Sequence, residues 1–206
     1  IGESGTCNVD TACRIAVLGT PFVNAKNAVA HMVFVDSGTS YVCTGTLLAD
    51  TDGTTQVPYF YSANHCIDNQ TVASSLNTYW GYEATSCNSA VQAPTVLLPG
   101  GATYLYSNAD TDALLLRLNN PPPAGSVLAG WDSNVIPASS NILGIHHPSG
   151  DVKKASTGQQ TAREAYLTEV AWVSGTTEQG SSGSALFTLD ASSYRLRGGL
   201  YGGSAS

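Results

Sequence analysis

Short apolar, β-branched runs recur along this chain, with polar turn signals between them. Val29 to Val35 is such a run, and Asp36-Ser37-Gly38-Thr39-Ser40 turns the chain back into Tyr41 to Leu48. That pair predicts a hairpin. Asp50 to Thr55 is a second polar turn, followed by a predicted strand over Gln56 to Ser62. Thr78 to Glu83, Thr95 to Leu98 and Ala113 to Leu118 read the same way. The second half adds Val135 to Pro137, Ile142 to His146, Leu167 to Val173, Ala185 to Leu189 and Arg195 to Tyr201. Only one segment resembles a surface helix. Many short strands at regular intervals predict an all-β sandwich or barrel. Asn119 to Gly125, with Pro121-Pro122-Pro123, breaks any regular element and predicts a linker between a unit 1–120 and a unit 121–206. There is no internal repeat. The Gly- and Ser-rich stretch Gly198 to Ser206 suits a barrel strand that passes close to a ligand.

Composition narrows the classes. Of 206 residues 42% are hydrophobic and 11% charged, and the 21 glycines suit tight turns more than long helices. The net charge is −7, and the 8 Lys and Arg form no patch, which excludes a phosphate-neutralising surface for nucleic acid. No apolar run is long enough to cross a bilayer as a helix. The start at Ile1 fits a secreted chain whose leader has been removed. Five cysteines, at 7, 13, 43, 66 and 87, are too scattered for metal-binding spacing. They predict disulfides, and the odd count leaves one without a partner in the chain.

Three segments carry chemistry. Ser62-Ala63-Asn64-His65-Cys66 puts an imidazole at a strand end beside a cysteine. An isolated histidine of this kind is more often structural. Asp110-Thr111-Asp112 precedes the apolar strand Ala113 to Leu118, where a buried acid can orient an imidazole. Either aspartate could fill that role. Gly180-Ser181-Ser182-Gly183-Ser184 has glycine on both sides of a serine pair, which permits a turn that aims amide N–H groups at one point. The amides of Gly180 and Ser182 are the candidate oxyanion hole. The chain order His, Asp, Ser is that of the chymotrypsin type and differs from the subtilisin and α/β-hydrolase orders.

These three motifs resemble the histidine, aspartate and serine motifs of trypsin-like serine proteases. The resemblance selects Asp112 over Asp110 by its spacing to Leu115-Leu116-Arg117-Leu118. It is closest to the bacterial lysyl endopeptidases, the Achromobacter protease I group. The segments that carry it are Ser4-Gly5-Thr6-Cys7-Asn8-Val9-Asp10, Cys43-Thr44-Gly45-Thr46-Leu47-Leu48, Tyr79-Trp80-Gly81-Tyr82, Ala129-Gly130-Trp131-Asp132, Ile145-His146-His147-Pro148 and Thr177 to Ser184. The implied fold is all-β: two six-stranded antiparallel β-barrels, chymotrypsin-like, with the site in the cleft between them. The implied activity is secreted serine endopeptidase, matured by propeptide removal, acting on polypeptide substrate without cofactor or metal. His65, Asp112 and Ser182 would form the triad. Thr177, Leu200, Tyr201 and Gly202 would contact substrate. The family pattern further implies Cys43–Cys66 and Cys13–Cys87, and a bond from Cys7 to a cysteine outside this chain. That last bond implies a break after Ser206 and a second polypeptide completing the barrel.

The chain also departs from these patterns. Animal trypsin-like enzymes bury an Ile amino terminus against an Asp just before the serine. Here Ser181 holds that place, so the Ile1-Gly2 start predicts no such switch. Thr176 stands where trypsin has its pocket acid, and Tyr201 where lysyl endopeptidases have His. A preference for Lys at P1 rests on the resemblance alone, and non-basic specificity or an inactive peptide-binding module are the alternatives. A zinc hydrolase on His146 and His147 is a third reading, opposed by the two faces of a strand. Asp50-Thr51-Asp52-Gly53 lacks the rest of a calcium loop. Asn69-Gln70-Thr71 is a glycosylation sequon. Trp80, Trp131 and Trp172 are expected in the core.

Overall fold

The computed structural model describes residues 2–203. Ile1 and Ser204 to Ser206 lie outside them, and with them the expectations about the chain's start and about a break after Ser206.

Thirteen strands form two sheets among the described residues. In chain order the first seven are β1 Val29–Asp36, β2 Thr39–Leu48, β3 Tyr59–Ala63, β4 Asn77–Trp80, β5 Val96–Leu98, β6 Ala102–Asn108 and β7 Ala113–Leu118. They make one sheet in the order β5-β4-β1-β2-β3-β7-β6. The other six are β8 Gly130–Trp131, β9 Asn141–His146, β10 Lys154–Glu164, β11 Leu167–Ser174, β12 Ala185–Asp190 and β13 Ser193–Gly199. Their order is β11-β10-β9-β12-β13-β8, antiparallel except for the β13–β8 pair. The first sheet thus has one strand more than the six that the resemblance implies. Helix is confined to α1, Ile15–Asn27, and a single turn α2, Gln70–Ser74, apart from two 3-10 turns.

The β1–β2 hairpin shows how local chemistry sets register. Asp36 pairs with Thr39, leaving Ser37 and Gly38 as the two turn residues. Both have positive φ, 50° and 83°, the twist that matches right-handed strands. The turn is tighter than the five-residue one predicted. In β7, Leu114, Leu116 and Leu118 point into the first core while Arg117 faces out. Leu115, on the opposite face, packs against a second core.

That second core joins the halves of the chain. Phe22 and Ala25 of α1 and Val29 and Leu48 of the first sheet meet Leu143, Ile145, Phe187 and Leu196 of the second. A salt bridge from Lys154 to Asp10 at 2.6 Å reinforces the junction, and one from Lys26 to Glu83 at 2.6 Å ties α1 to the segment after β4. Disulfide Cys13–Cys87 ties the N-terminal segment to the loop after β4, and Cys43–Cys66 ties β2 to the segment after β3. Residues 119–125 cross from one sheet to the other.

Several expected elements differ. Val135 to Pro137 is no strand; the paired residues are Gly130 and Trp131 instead. There the Asn134 N–H donates to Asp132 Oδ1 in a local turn, and Pro137 has no N–H to give a ladder. β3 begins at Tyr59, after Pro58, rather than at Gln56. β4 stops at Trp80 because Gly81 turns away at φ 67°. Trp80 is buried, but Trp131 is 41% exposed, its Nε1–H donating to the Ala49 carbonyl. Asp50 and Asp52 are engaged by turn amides and hydroxyls of Asp52, Thr54 and Thr55. Asn69 caps α2, its side chain accepting from Val72 N–H.

Candidate active site

His65 follows directly on β3, in a turn whose Cys66 amide bonds back to Ala63 and whose Cys66 sulfur is tied to Cys43. This anchors the backbone while leaving the ring 38% exposed. Asp112 sits at the start of β7, the strand that pairs with β3, so sheet register brings the two together. The carboxylate grips His65 twice. Oδ1 accepts the His65 backbone N–H at 2.9 Å, and Oδ2 accepts Nδ1–H at 2.7 Å. Holding the proton on Nδ1 leaves Nε2 free to act as a base. Asp112 is buried, its φ is 51°, and its carbonyl accepts from Asn64 N–H. A left-handed backbone on a non-glycine residue is a strain that a surrounding site must hold in place. Asp110 is exposed and makes no hydrogen bond to His65.

Ser182 comes from a loop of the second half that lies against the same β2–β3 region. Thr44 N–H donates to the Ser182 carbonyl at 2.9 Å, and Gly183 N–H donates to Leu200 O. Gly183 needs its lack of a side chain: a Cβ there would meet Ser62 Oγ at 2.1 Å and Ala63 N at 2.7 Å. The serine loop is thus packed two residues from His65. Gly180 has φ 90°, and its carbonyl accepts from Thr44 Oγ1 at 3.0 Å. Among the described residues neither the Gly180 nor the Ser182 amide has a hydrogen-bond acceptor, and Ser182 Oγ has no partner. Unpaired amides in a turn of this kind can stabilise a developing oxyanion.

Tyr201 stands beside His65, ring centroids 6.0 Å apart and nearly perpendicular. A cavity of about 420 Å³ opens between Asp110, Asp112, Glu164, Tyr166, Leu167 and Tyr201. Leu200 and Gly202 flank Tyr201 at the end of β13, while Thr177 is buried at the base of the serine loop. Gly199 passes under Tyr61, whose ring lies 2.8 Å from where a Cβ would stand. Burial, with the Asp112 charge behind it, pushes the Tyr61 hydroxyl up to about 12. Cys7 is free and exposed. His146 and His147 are both buried, and among the described residues no group of three metal-ligating side chains forms.

The lysyl endopeptidase C-terminal domain family matches this chain over residues 1–206. The chain belongs to that family. Lysyl endopeptidase of Pseudomonas aeruginosa is 44% identical over 214 residues, taking in 98% of this chain and 46% of that protein. The chain spans about half the length of the curated relative it matches. Two solved structures share the fold at low identity. A thermostable serine protease from an extremophilic microorganism aligns at TM-score 0.60 and 13% identity, covering 87% of each chain. An inactivated protease paralogue of the scabies mite aligns at TM-score 0.62 and 14% identity, covering 84% of this chain and 82% of that one. The fold is therefore the all-β chymotrypsin-like one.

Two features of this chain escaped the sequence. Glu178, within the serine loop, accepts from Gly5 N–H at 2.9 Å and Asn8 Nδ2 at 2.6 Å through Oε1, and from Ser149 Oγ through Oε2. It pins the N-terminal arm to that loop. Its signal was only a lone carboxylate before a Gly-Ser turn. The other is the environment of three buried histidines. Burial lowers His31 to about 4 and, with the Lys154 charge beside it, His146 to about 3. Burial and then the His31 charge hold His147 well below 6.5 as it stacks on Tyr82.

These shifts fix a stability trend. All three folded values lie below the unfolded one, so below pH 6.5 the unfolded chain binds more protons. Stability is present above that pH and is lost as pH falls toward 4. Each histidine contributes a slope of up to ~1.4 kcal/mol per pH unit in that window. The urea midpoint, with disulfides intact, is expected to fall steadily between pH 6.5 and 4.5; a flat midpoint would show that the histidines open to solvent.

Proposed function

We propose that this chain is the catalytic part of a secreted serine endopeptidase that cleaves after lysine. The observation that carries the reading is the pair of bonds from Asp112 to His65 beside a serine loop with two unpartnered amides. In this mechanism Ser182 Oγ attacks the scissile carbonyl while His65 Nε2 takes its proton. The Gly180 and Ser182 amides hold the oxyanion. His65 then protonates the leaving amine, and water repeats the sequence on the acyl-enzyme. Asp112 keeps the imidazole in its tautomer and stabilises the imidazolium.

Family membership and the carboxylates of Asp110 and Glu164 around the cavity support a basic substrate residue, since a cleft of one sign concentrates the opposite charge. Leu200, Tyr201 and Gly202 would receive the peptide backbone, with Thr177 below. Residues 1–120 and 121–206 would act as the two halves of the cleft. Free, exposed Cys7 would pair with a cysteine outside this chain. Disulfides and the family support secretion with a propeptide removed.

Hydrolysis of Lys-, Arg-, Phe- and Ala-nitroanilide peptides tests the reading. Lys is expected to lead, with Arg second. A flat or Phe-led profile would remove the Lys preference. No hydrolysis of any would favour an inactive peptide-binding module, and one fold neighbour is itself an inactivated paralogue.

A further inference from the structure

The serine loop has a buried support that the triad does not use. The Ser181 side chain is fully buried. Its Oγ accepts from Glu178 N–H at 3.2 Å and lies 2.8 Å from His146 Nδ1. Across the ring, His146 Nε2 is 3.0 Å from Ser156 Oγ. Ser156 Oγ in turn donates to the Thr176 carbonyl at 2.6 Å.

These bonds define one arrangement of protons. Ser156 has a single hydroxyl proton and gives it to Thr176, so toward His146 it accepts. His146 therefore carries its proton on Nε2, and Nδ1 accepts the Ser181 O–H. The ring is neutral, because burial drives its pKa down to about 3, with the Lys154 charge adding to the effect. Every polar atom of Ser156, His146 and Ser181 has a partner. The network links β9 and β10 to the segment that leads into Ser182, at Thr176, Glu178 and Ser181. Ser181 occupies the place where animal trypsin-like enzymes have the acid of a buried ion pair.

We propose that His146 is a positioning residue: through Ser181 Oγ it holds the Gly180–Ser182 backbone in the turn that aims its two free amides at one oxyanion. An uncharged hydrogen-bond chain thus stands where the animal enzymes use an ion pair. The backbone on either side is anchored by Thr44: its Oγ1 accepts from His147 N–H and donates to Gly180 O, and its N–H donates to Ser182 O. The Ser181–His146 bond holds the residue between those two anchored positions. The proposal rests on the endopeptidase reading.

Three variants test it: Ser181→Ala, which removes one hydroxyl; His146→Leu, which removes both ring nitrogens; and His146→Gln, which keeps an acceptor and a donor. The folded fraction is measured by near-UV circular dichroism, and kcat and KM with the best nitroanilide peptide. Loss of one oxyanion donor costs about 10²–10³ in rate, so displacing the turn in Ser181→Ala and His146→Leu is expected to lower kcat per folded molecule by roughly 10–100-fold. KM is expected to stay within about twofold, because substrate binding is untouched. His146→Gln is expected to keep kcat within about threefold of wild type. If Ser181→Ala only lowers the melting temperature and leaves kcat per folded molecule unchanged, His146 is structural and the proposal is overturned. No turnover in the wild type would instead overturn the endopeptidase reading itself, and this proposal with it.

Discussion

Replacing Ser182 with alanine is expected to lower kcat/KM on peptide substrates by roughly 10⁴–10⁶-fold while leaving the fold unchanged. The structural reason lies in how the residue is held. Its backbone is fixed by Thr44 N–H on the carbonyl and by the packing of Gly183 on Ser62 and Ala63. Its hydroxyl has no partner among the described residues, so removing it breaks no bond. Activity and stability should therefore separate cleanly. Steady-state kinetics and thermal melting on the same preparation check this. A Ser182→Ala protein that keeps more than about a tenth of wild-type activity would mean that another nucleophile is at work.

The second large effect is expected from Asp112→Asn. The variant keeps an oxygen for the His65 backbone N–H but can turn an amide N–H toward Nδ1. The imidazole must then hold its proton on Nε2, where it can no longer accept one from Ser182. A loss of about 10⁴ in kcat near neutral pH follows, with little change in KM. Asp110→Asn is the matched control. Asp110 is exposed, lines the cavity and does not touch His65, so its loss is expected to act on KM for Lys substrates while changing kcat by less than about threefold. A kcat hardly altered in Asp112→Asn, or a larger loss in Asp110→Asn, would reverse the assignment of the acid.

How much of this was legible in the sequence depends on the distance over which each feature is specified. The β1–β2 hairpin was legible because its turn and both flanking runs are contiguous. β7 and β12 were legible for the same reason. β10 was not: Lys154–Glu164 is a long strand with few large apolar residues, and its buried positions include Ser156, Gly158 and Gln160. Its place comes from pairing with β9 and β11, which no local pattern records. α1 was obscured by Gly19 and Pro21, which kink it, with Gly19 at φ 68°. Val135 to Pro137 misled because two apolar residues before a proline look like a strand and are held instead by a turn at Asp132–Asn134.

The candidate site divides in the same way. His65, Asp112 and Ser182 each sit in a short, recognisable context, so three local patterns in the right order pointed to them. The residues that hold them were invisible. The His146–Ser181 contact spans 35 positions and the Glu178–Gly5 contact spans 173. Both depend on packing between segments whose own sequences say nothing of each other. His146 illustrates the point: the doublet His146-His147 suggested a metal, whereas one ring bonds two serines and the other stacks on Tyr82.

The central claim is that His65 activates Ser182, and fluorophosphonate labelling tests it most directly. The wild-type protein and a His65→Ala variant are treated side by side, and the adduct is located by peptide mass mapping. A single adduct on Ser182 in the wild type, formed at least ~10³ times more slowly in the variant, is the predicted result. An unlabelled Ser182 in the wild type, or equal labelling without His65, would contradict the account.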